Sequence, residues 1–283
     1  MKILVTGAGG MLGSDVVARL SGAHEVIGVT RQEYDVLDEA GVRAFTAKTR
    51  PDWVIHCAAF TNVDGCEKEP EKAYRVNAEG TRNVALACWG AGARLLCVST
   101  DYVYDGGKRE PYVETDPVRP LNVYGASKLR GEQEALKALP GALVVRTSWL
   151  FGKNGPNFVK AILSQAGIKP KLSVVSDQVG NPTYTPDLAD GLARLVEAGA
   201  SGVVHVSNSG QCSWHDYAKK VLEMAGAKGT EVTPITTAEL GRPALRPAYS
   251  VLSNEKYHSI TGHRLRDWKD ALAEYIKAVG EQT

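Results

Sequence analysis

The chain lacks an apolar run approaching the roughly 20 residues needed to cross a bilayer, so no membrane-spanning segment is expected. It also lacks an excess of either charge. Its 33 Lys and Arg stand against 32 Asp and Glu, a net charge of +1, which gives no electrostatic footprint for nucleic acid or an anionic lipid surface. Cysteine is sparse and unpatterned. Cys57, Cys66, Cys88, Cys97 and Cys212 are odd in number and widely spaced, with no CxxC and no Cys/His ligand spacing, so neither a disulfide framework nor a metal site is expected. Cys57 and Cys97 lie in apolar runs and are read as buried packing residues. No signal-peptide layout precedes the strand-like run at Ile3, and a cytoplasmic protein is expected. There is no internal repeat, low-complexity tract or Pro/Ser-rich linker. Within 283 residues a large α/β unit or two modest, interleaved domains can be buried.

What is present is a rhythm of short apolar runs, each followed by a helical pattern. Ile3-Leu4-Val5 is read as a buried strand. It meets Gly7-Ala8-Gly9-Gly10-Met11-Leu12-Gly13, and a helix marked by Val16, Val17 and Leu20 follows. Strand, glycine turn and helix together form the context in which glycines let backbone N–H groups approach a pyrophosphate at a helix N-terminus. The second strand, Val26-Ile27-Gly28-Val29, ends in Thr30-Arg31 with no acid at that position. An arginine there suits the 2′-phosphate of NADP, where an acid would favour NAD; a solvated loop charge is the alternative. Asp38 is expected to cap the next helix.

Trp53-Val54-Ile55-His56 reads as a third strand, ending in the small residues Cys57-Ala58-Ala59. His56 lies within the apolar run and is read as a core histidine. A helix is expected over 70–88, carrying Asn77 and ending at Gly90 or Gly92. Leu95-Leu96-Cys97-Val98 delivers Ser99-Thr100-Asp101 to the carboxyl edge of the sheet, where ligands sit in open parallel sheets. Tyr124 and Lys128 stand four apart in a helical run, so both share one face. An ammonium beside a phenol is expected to lower its pKa by roughly 1–3, towards the range useful for proton transfer.

Strands alternating with helices over residues 1–150 predict a doubly wound parallel sheet of Rossmann type. Residues 151–283 loosen into short elements and polar loops, and read as a smaller, interleaved substrate domain. About 183–206 of these are expected to fold back onto the first.

The glycine turn, Asn77, Ser99-Thr100-Asp101-Tyr102-Val103-Tyr104, Pro120-Leu121-Asn122-Val123-Tyr124-Gly125 with Lys128, Arg146-Thr147-Ser148-Trp149, Asp177-Gln178, Gly180, Pro182-Thr183, Trp214-His215-Asp216-Tyr217 and Arg246-Pro247 together resemble the dTDP-4-dehydrorhamnose reductase family of extended short-chain dehydrogenase/reductases. The resemblance spans nearly the whole chain. It implies a sugar-nucleotide 4-ketone substrate reduced with NADPH, with NADH left open. It implies Tyr124 as proton donor, Lys128 on the nicotinamide ribose, Thr100 polarising the carbonyl and Asn77 supporting the network. The cofactor set is then Gly7, Gly9, Gly10, Met11, Leu12, Gly13, Arg31, Asp35, Val36, Ala58 and Ala59, with Tyr124 and Lys128. The sugar would meet Asp101, Tyr102, Trp149, Asn181 and Arg246. A homodimer is left open, as are three other readings: a sugar-nucleotide dehydratase, a 4-epimerase, and a non-catalytic NAD(P)-binding subunit such as the regulatory subunit of methionine adenosyltransferase. Tyr102, standing where a dehydratase would carry an acid, speaks against the first.

Overall fold

The computed structural model describes residues 1–280. Six strands form one parallel sheet: β1 (Lys2–Thr6), β2 (Glu25–Val29), β3 (Trp53–His56), β4 (Arg94–Thr100), β5 (Leu143–Thr147) and, from much later in the chain, Gly202–His205. The spatial order is 202–205, β5, β4, β3, β1, β2. Ile3 pairs with Val26 on one side and Trp53 on the other. Burial of both faces explains why β1 and β3 are continuous apolar runs, and period two sorts their side chains. Ile3, Val5, Ile55, Leu96 and Val145 enter one cluster, while Leu4, Val54, Leu95 and Cys97 enter the other. Between β1 and β3 the chain changes direction across the sheet, which opens a crevice at the carboxyl ends of the strands.

The helices cover both faces. α1 (Met11–Leu20) lies on the first and α2 (Glu39–Thr49) on the second, and two short helices, α3 (Val63–Lys68) and α4 (Pro70–Tyr74), follow along the chain. Asp38 caps α2, its carboxylate accepting from the Gly41 N–H at 3.0 Å. The single helix expected over 70–88 is instead three pieces: α4, a π-turn over Arg75–Glu79, and α5 (Gly80–Ala91). The π-turn widens the helix where Asn77 leaves it to bond Phe60 and Ser127, a demand from tertiary packing that local propensity does not carry. The stop is Gly92, at φ +69°, a left-handed cap that glycine adopts without strain. α6 (Val123–Ala138) follows, capped by Asn122, which accepts from the Gly125 N–H at 2.8 Å.

After β5 the chain enters a second body through β6 (Leu150–Phe151), α7 (Phe158–Leu163), β7 (Lys171–Val175), β8 (Val179–Gly180) and β9 (Thr183–Tyr184). It then returns. α8 (Thr185–Glu197) sets Leu188, Leu192 and Leu195 against Leu12, Val16 and Leu20 of α1, and β10 (Gly202–His205) closes the sheet against β5. The second body resumes with β11 (Cys212–Ser213), α9 (Trp214–Met224), β12 (Glu231–Ile235) and α10 (Thr237–Leu240); α11 (Glu255–Thr261) then packs back on α8 and β10, and α12 (Trp268–Gly280) rejoins the second body. Its core joins Phe151, Val159, Tyr217, Val221, Trp268 and Tyr275. Ser213 caps α9 by accepting from the Asp216 N–H.

Candidate active site

A cavity of about 610 Å³ follows the crevice from the glycine turn to the second body. At one end Gly7, at φ +69°, turns the chain so closely that an added Cβ would lie 2.8 Å from the Ala58 nitrogen. A Cβ on Gly13 would collide with the Gly7 carbonyl. The first residues of α1 have no side-chain cap, since Gly10 occupies the N-cap. Their N–H groups are therefore left for an anion at the positive end of the helix dipole. Met11, Leu12, Arg31, Asp35, Val36, Ala58 and Ala59 line this part, while Gly9 is exposed beside it. Arg31 is held by Asp35 at 3.5 Å, with 77% of its side chain still exposed. So an acid does stand near the arginine, four residues on, as its partner. Sequence reasoning missed Tyr34, Phe60 and Lys72, which complete the lining. The Lys72 ammonium lies 4.7 Å from the Phe60 ring centre.

In the middle, Thr100 closes β4, and Tyr124 starts α6 one turn before Lys128. All three line the cavity with Asp101 and Tyr102. Gly125 lets α6 come against the Tyr102 carbonyl, since a Cβ there would strike it. The Tyr102 ring meets Tyr124 edge-on at 5.8 Å. The expectation that Lys128 lowers the phenol pKa is not met. Its ammonium turns away to donate to the Val98 carbonyl at 2.8 Å, and burial pulls its own pKa down. Burial pushes the Tyr124 phenol above the ordinary tyrosine range, with the nearby Thr100 hydroxyl acting in the opposite sense. At neutral pH the phenol therefore carries its proton, the state a proton donor requires.

Thr100 donates to Asp101 Oδ1 at 3.1 Å and accepts from the Tyr102 N–H at 3.2 Å. Asp101 is 2% exposed, and burial lifts its carboxyl to about 7. Its Oδ2 is buried with no hydrogen-bond partner.

Asn77, Asn181 and Arg246 lie outside the cavity lining. Asn77 accepts from the Phe60 N–H at 2.8 Å and donates to the Phe60 carbonyl and to Ser127 Oγ. It pins the loop after β3 to α6. The Asn181 amide is consumed by backbone, donating to the Gly210 carbonyl and accepting from the Leu252 N–H, each at 2.7 Å. Buried at 3%, it ties three loops together, and the structure places it outside the cavity lining. Arg246 pairs with Asp64 at 3.1 Å; burial raises the Tyr102 phenol above the ordinary tyrosine range, and Arg246 offsets this in part.

At the far end Trp149 adopts φ +47° and stacks on Trp214 at 3.6 Å with ring planes 7° apart. Both line the cavity. Trp214 was quoted in the sequence motif but given no role, because nothing local shows that the first residue of α9 meets the end of β5. One face of the Trp149 indole is thus already covered.

The sequence matches the model of the RmlD substrate binding domain over residues 1–281. A dTDP-4-dehydrorhamnose reductase of Mycolicibacterium smegmatis is 43% identical over 98% of this chain and 86% of its own. Among solved structures, a dTDP-4-dehydrorhamnose reductase from Clostridium acetobutylicum superposes with a TM-score of 0.96 at 41% identity, covering 99% of this chain and 100% of the other. One from Bacillus anthracis, solved in complex with NADP, gives 0.95 at 38% identity over 98% and 99%. The glycine turn, the Thr100–Tyr124–Lys128 cluster and full-length similarity agree, and the chain belongs to the RmlD substrate-binding-domain family of sugar-nucleotide reductases.

Proposed function

We propose that the protein reduces the C4 ketone of a dTDP-4-keto-6-deoxysugar with NADPH, as in conversion of dTDP-4-dehydrorhamnose to dTDP-L-rhamnose. The observation that carries this is the meeting of Thr100, Tyr124 and Lys128 on the cavity wall facing the glycine turn. A dinucleotide fits the residues present: Gly7 and Gly13 leave the space a Cβ would fill, and α1 begins without a cap. When bound, the cofactor supplies the hydride.

The chain supplies the rest. The α1 N-terminus holds the pyrophosphate. Arg31 faces the 2′-phosphate, with Asp35 and Val36 beside the adenosine. Lys128 holds the nicotinamide ribose. With substrate bound, the Thr100 hydroxyl would turn its one hydrogen from Asp101 Oδ1 to the C4 oxygen, and the protonated Tyr124 phenol would give its proton as negative charge develops there. Trp149, Trp214 and Tyr102 form apolar and aromatic walls suited to a deoxysugar. Asn77 braces the site, and Arg246 orients Tyr102. The first body holds the cofactor and the second most of the sugar nucleotide.

No helix among the described residues is long and apolar enough to cross a membrane, and all five cysteines are free. Free thiols suit a reducing compartment, and we place the enzyme in the cytoplasm. The test is a panel of dTDP- and UDP-linked 4-keto sugars with NADPH and NADH, following the nicotinamide absorbance and identifying the product. Oxidation of NADPH with the dTDP sugar is expected; release of a dehydrated or merely epimerised sugar with no net cofactor turnover would overturn the proposal.

A further inference from the structure

We propose that Glu132 and Arg146 form a buried clamp that sets the Tyr124 phenol against Thr100, which makes both of them positioning residues for the proton donor. The inference rests on the reductase reading of the site and adds to it two side chains that lie outside the lining of its cavity.

Tyr124, Lys128 and Glu132 follow one another at four-residue steps along α6, so they form one stripe of the helix. Val98, Ser99 and Thr100 are consecutive at the end of β4. Lys128 donates to the Val98 carbonyl at 2.8 Å, and Ser99 Oγ donates to Glu132 Oε1. The helix that carries Tyr124 is thus tied to the strand at the two residues just before Thr100.

Arg146 fixes the second of these ties. It stands beside Ser99 in register on β5 and grips Glu132 with two hydrogen bonds, Nε to Oε1 at 3.0 Å and Nη2 to Oε2 at 2.7 Å. A bidentate pair of this kind fixes direction as well as distance. Arg146 Nη1 donates to the Tyr104 hydroxyl at 2.8 Å. Tyr104 follows the short turn over Asp101–Val103, which puts Asp101 and Tyr102 into the cavity wall. One guanidinium therefore holds both α6 and the segment that leaves Thr100.

Burying the pair costs solvation, and packing alone does not call for it. Glu132 and Arg146 are each 4% exposed, and apolar residues of similar volume are often as stabilising as a buried ion pair, or more so. What the pair adds is direction. Apolar contact is non-directional and lets a helix slide on a sheet, whereas hydrogen bonds weaken steeply when bent. A cavity of about 10 Å³ borders Ser99, Lys128 and Glu132, so close packing does not hold the helix at this spot. A slip of about 1 Å in a reacting group can cost on the order of 10²-fold in rate.

The test separates stability from positioning. Glu132→Leu and Arg146→Met, each alone, strand a buried charge and should lower the urea midpoint of unfolding. The double variant Glu132→Leu/Arg146→Met removes both charges and should recover most of that loss. Its kcat with NADPH and the dTDP-4-keto-6-deoxysugar should nonetheless stay about 10–100-fold below wild type, with NADPH affinity by fluorescence titration near normal. A double variant that regains turnover with its stability, or loses NADPH affinity as steeply as turnover, overturns the inference. Should the double variant fail to fold, Ser99→Ala serves instead, since it severs α6 from β4 and leaves the ion pair in place. Its kcat should drop severalfold with the KM for NADPH kept, and an unchanged kcat counts against the proposal. A wild type that reduces no keto sugar would sink the reductase reading and leave the clamp to NMR spectra of the free protein with labelled tyrosine rings. The Tyr124 resonance, identified by its loss in Tyr124→Phe, should move in the double variant; movement of Tyr104 alone would show that the clamp does not reach the phenol.

Discussion

Tyr124 is kept protonated by burial and is braced edge-on by Tyr102. Tyr124→Phe retains that packing and removes only the acid. Turnover should drop by roughly 10²–10⁴-fold, the scale of a positioned acid, with sugar binding largely kept; near-normal turnover in the folded variant would show that the proton comes from elsewhere. Arg31 is a second single-residue test. Its side chain is mostly exposed and only loosely tied to Asp35, so it is free to meet a phosphate. Arg31→Ala should raise the KM for NADPH while scarcely moving that for NADH, and equal effects on both would reduce it to a loop charge. The four-residue spacing of Tyr124 and Lys128 was readable from sequence because helix geometry dictates a shared face. The aim of the ammonium was not, since the Val98 carbonyl that captures it belongs to a strand thirty residues earlier. The surroundings of Asn181 were hidden for a similar reason. A polar residue in a polar loop looks available until the backbone groups of Gly210 and Leu252 are seen to consume it.

Two elements hold the sugar end together: the close of β5 with its left-handed Trp149, and the start of α9 with Trp214. Their stacking depends on Gly180 of β8, where a Cβ would lie 2.5 Å from the Trp149 ring. Gly180→Ala should push the indole off Trp214 at about 1–3 kcal/mol, the usual cost of overpacking. The kcat/KM for the keto sugar should fall, while NADPH affinity, measured by fluorescence titration, stays near that of the wild type. Loss of both together would make the stacked pair a pillar between the bodies instead of a sugar wall. The central strands β1, β3 and β5 were legible because they are buried on both faces, and α2 and α6 because a polar residue directly before each caps it. The π-turn was not, because its cause is the reach of Asn77 to Phe60 and Ser127.

Across the whole molecule, buried ionisable groups set opposing pH slopes. Burial holds His56 and His205 down at about 3, below the ordinary histidine value near 6.5. The unfolded chain thus takes up protons that the folded one refuses as pH falls below about 6.5, and stability declines towards 3. Asp101 acts in the other direction. Raised to about 7, it binds its proton more tightly when folded, so stability declines as pH rises from about 4 to about 7. The slopes overlap between about 4 and 6.5, where two imidazoles outweigh one carboxyl, so urea unfolding at pH 4.5, 6 and 8 should give the lowest stability at pH 4.5. Asp101→Asn, which cannot ionise, should gain on the wild type by on the order of a few kcal/mol at pH 8 compared with pH 4.5; a constant difference would mean that Asp101 titrates in its ordinary range.

The return of the chain at α8 and β10 bears on how the protein is made. A ribosome releases residues in order, and when residue 150 emerges β5 still has an open edge on the side where β10 will pair. The apolar stripe of α1 at Leu12, Val16 and Leu20 meets the sheet early, but the part that packs on α8 stays uncovered until α8 arrives. Both are invitations to other nascent chains. The cofactor half therefore cannot be finished early and stored while the rest is translated. Some fifty further residues must leave the tunnel before the first sheet is sealed, and during that interval the β5 edge stays open to pairing with another strand.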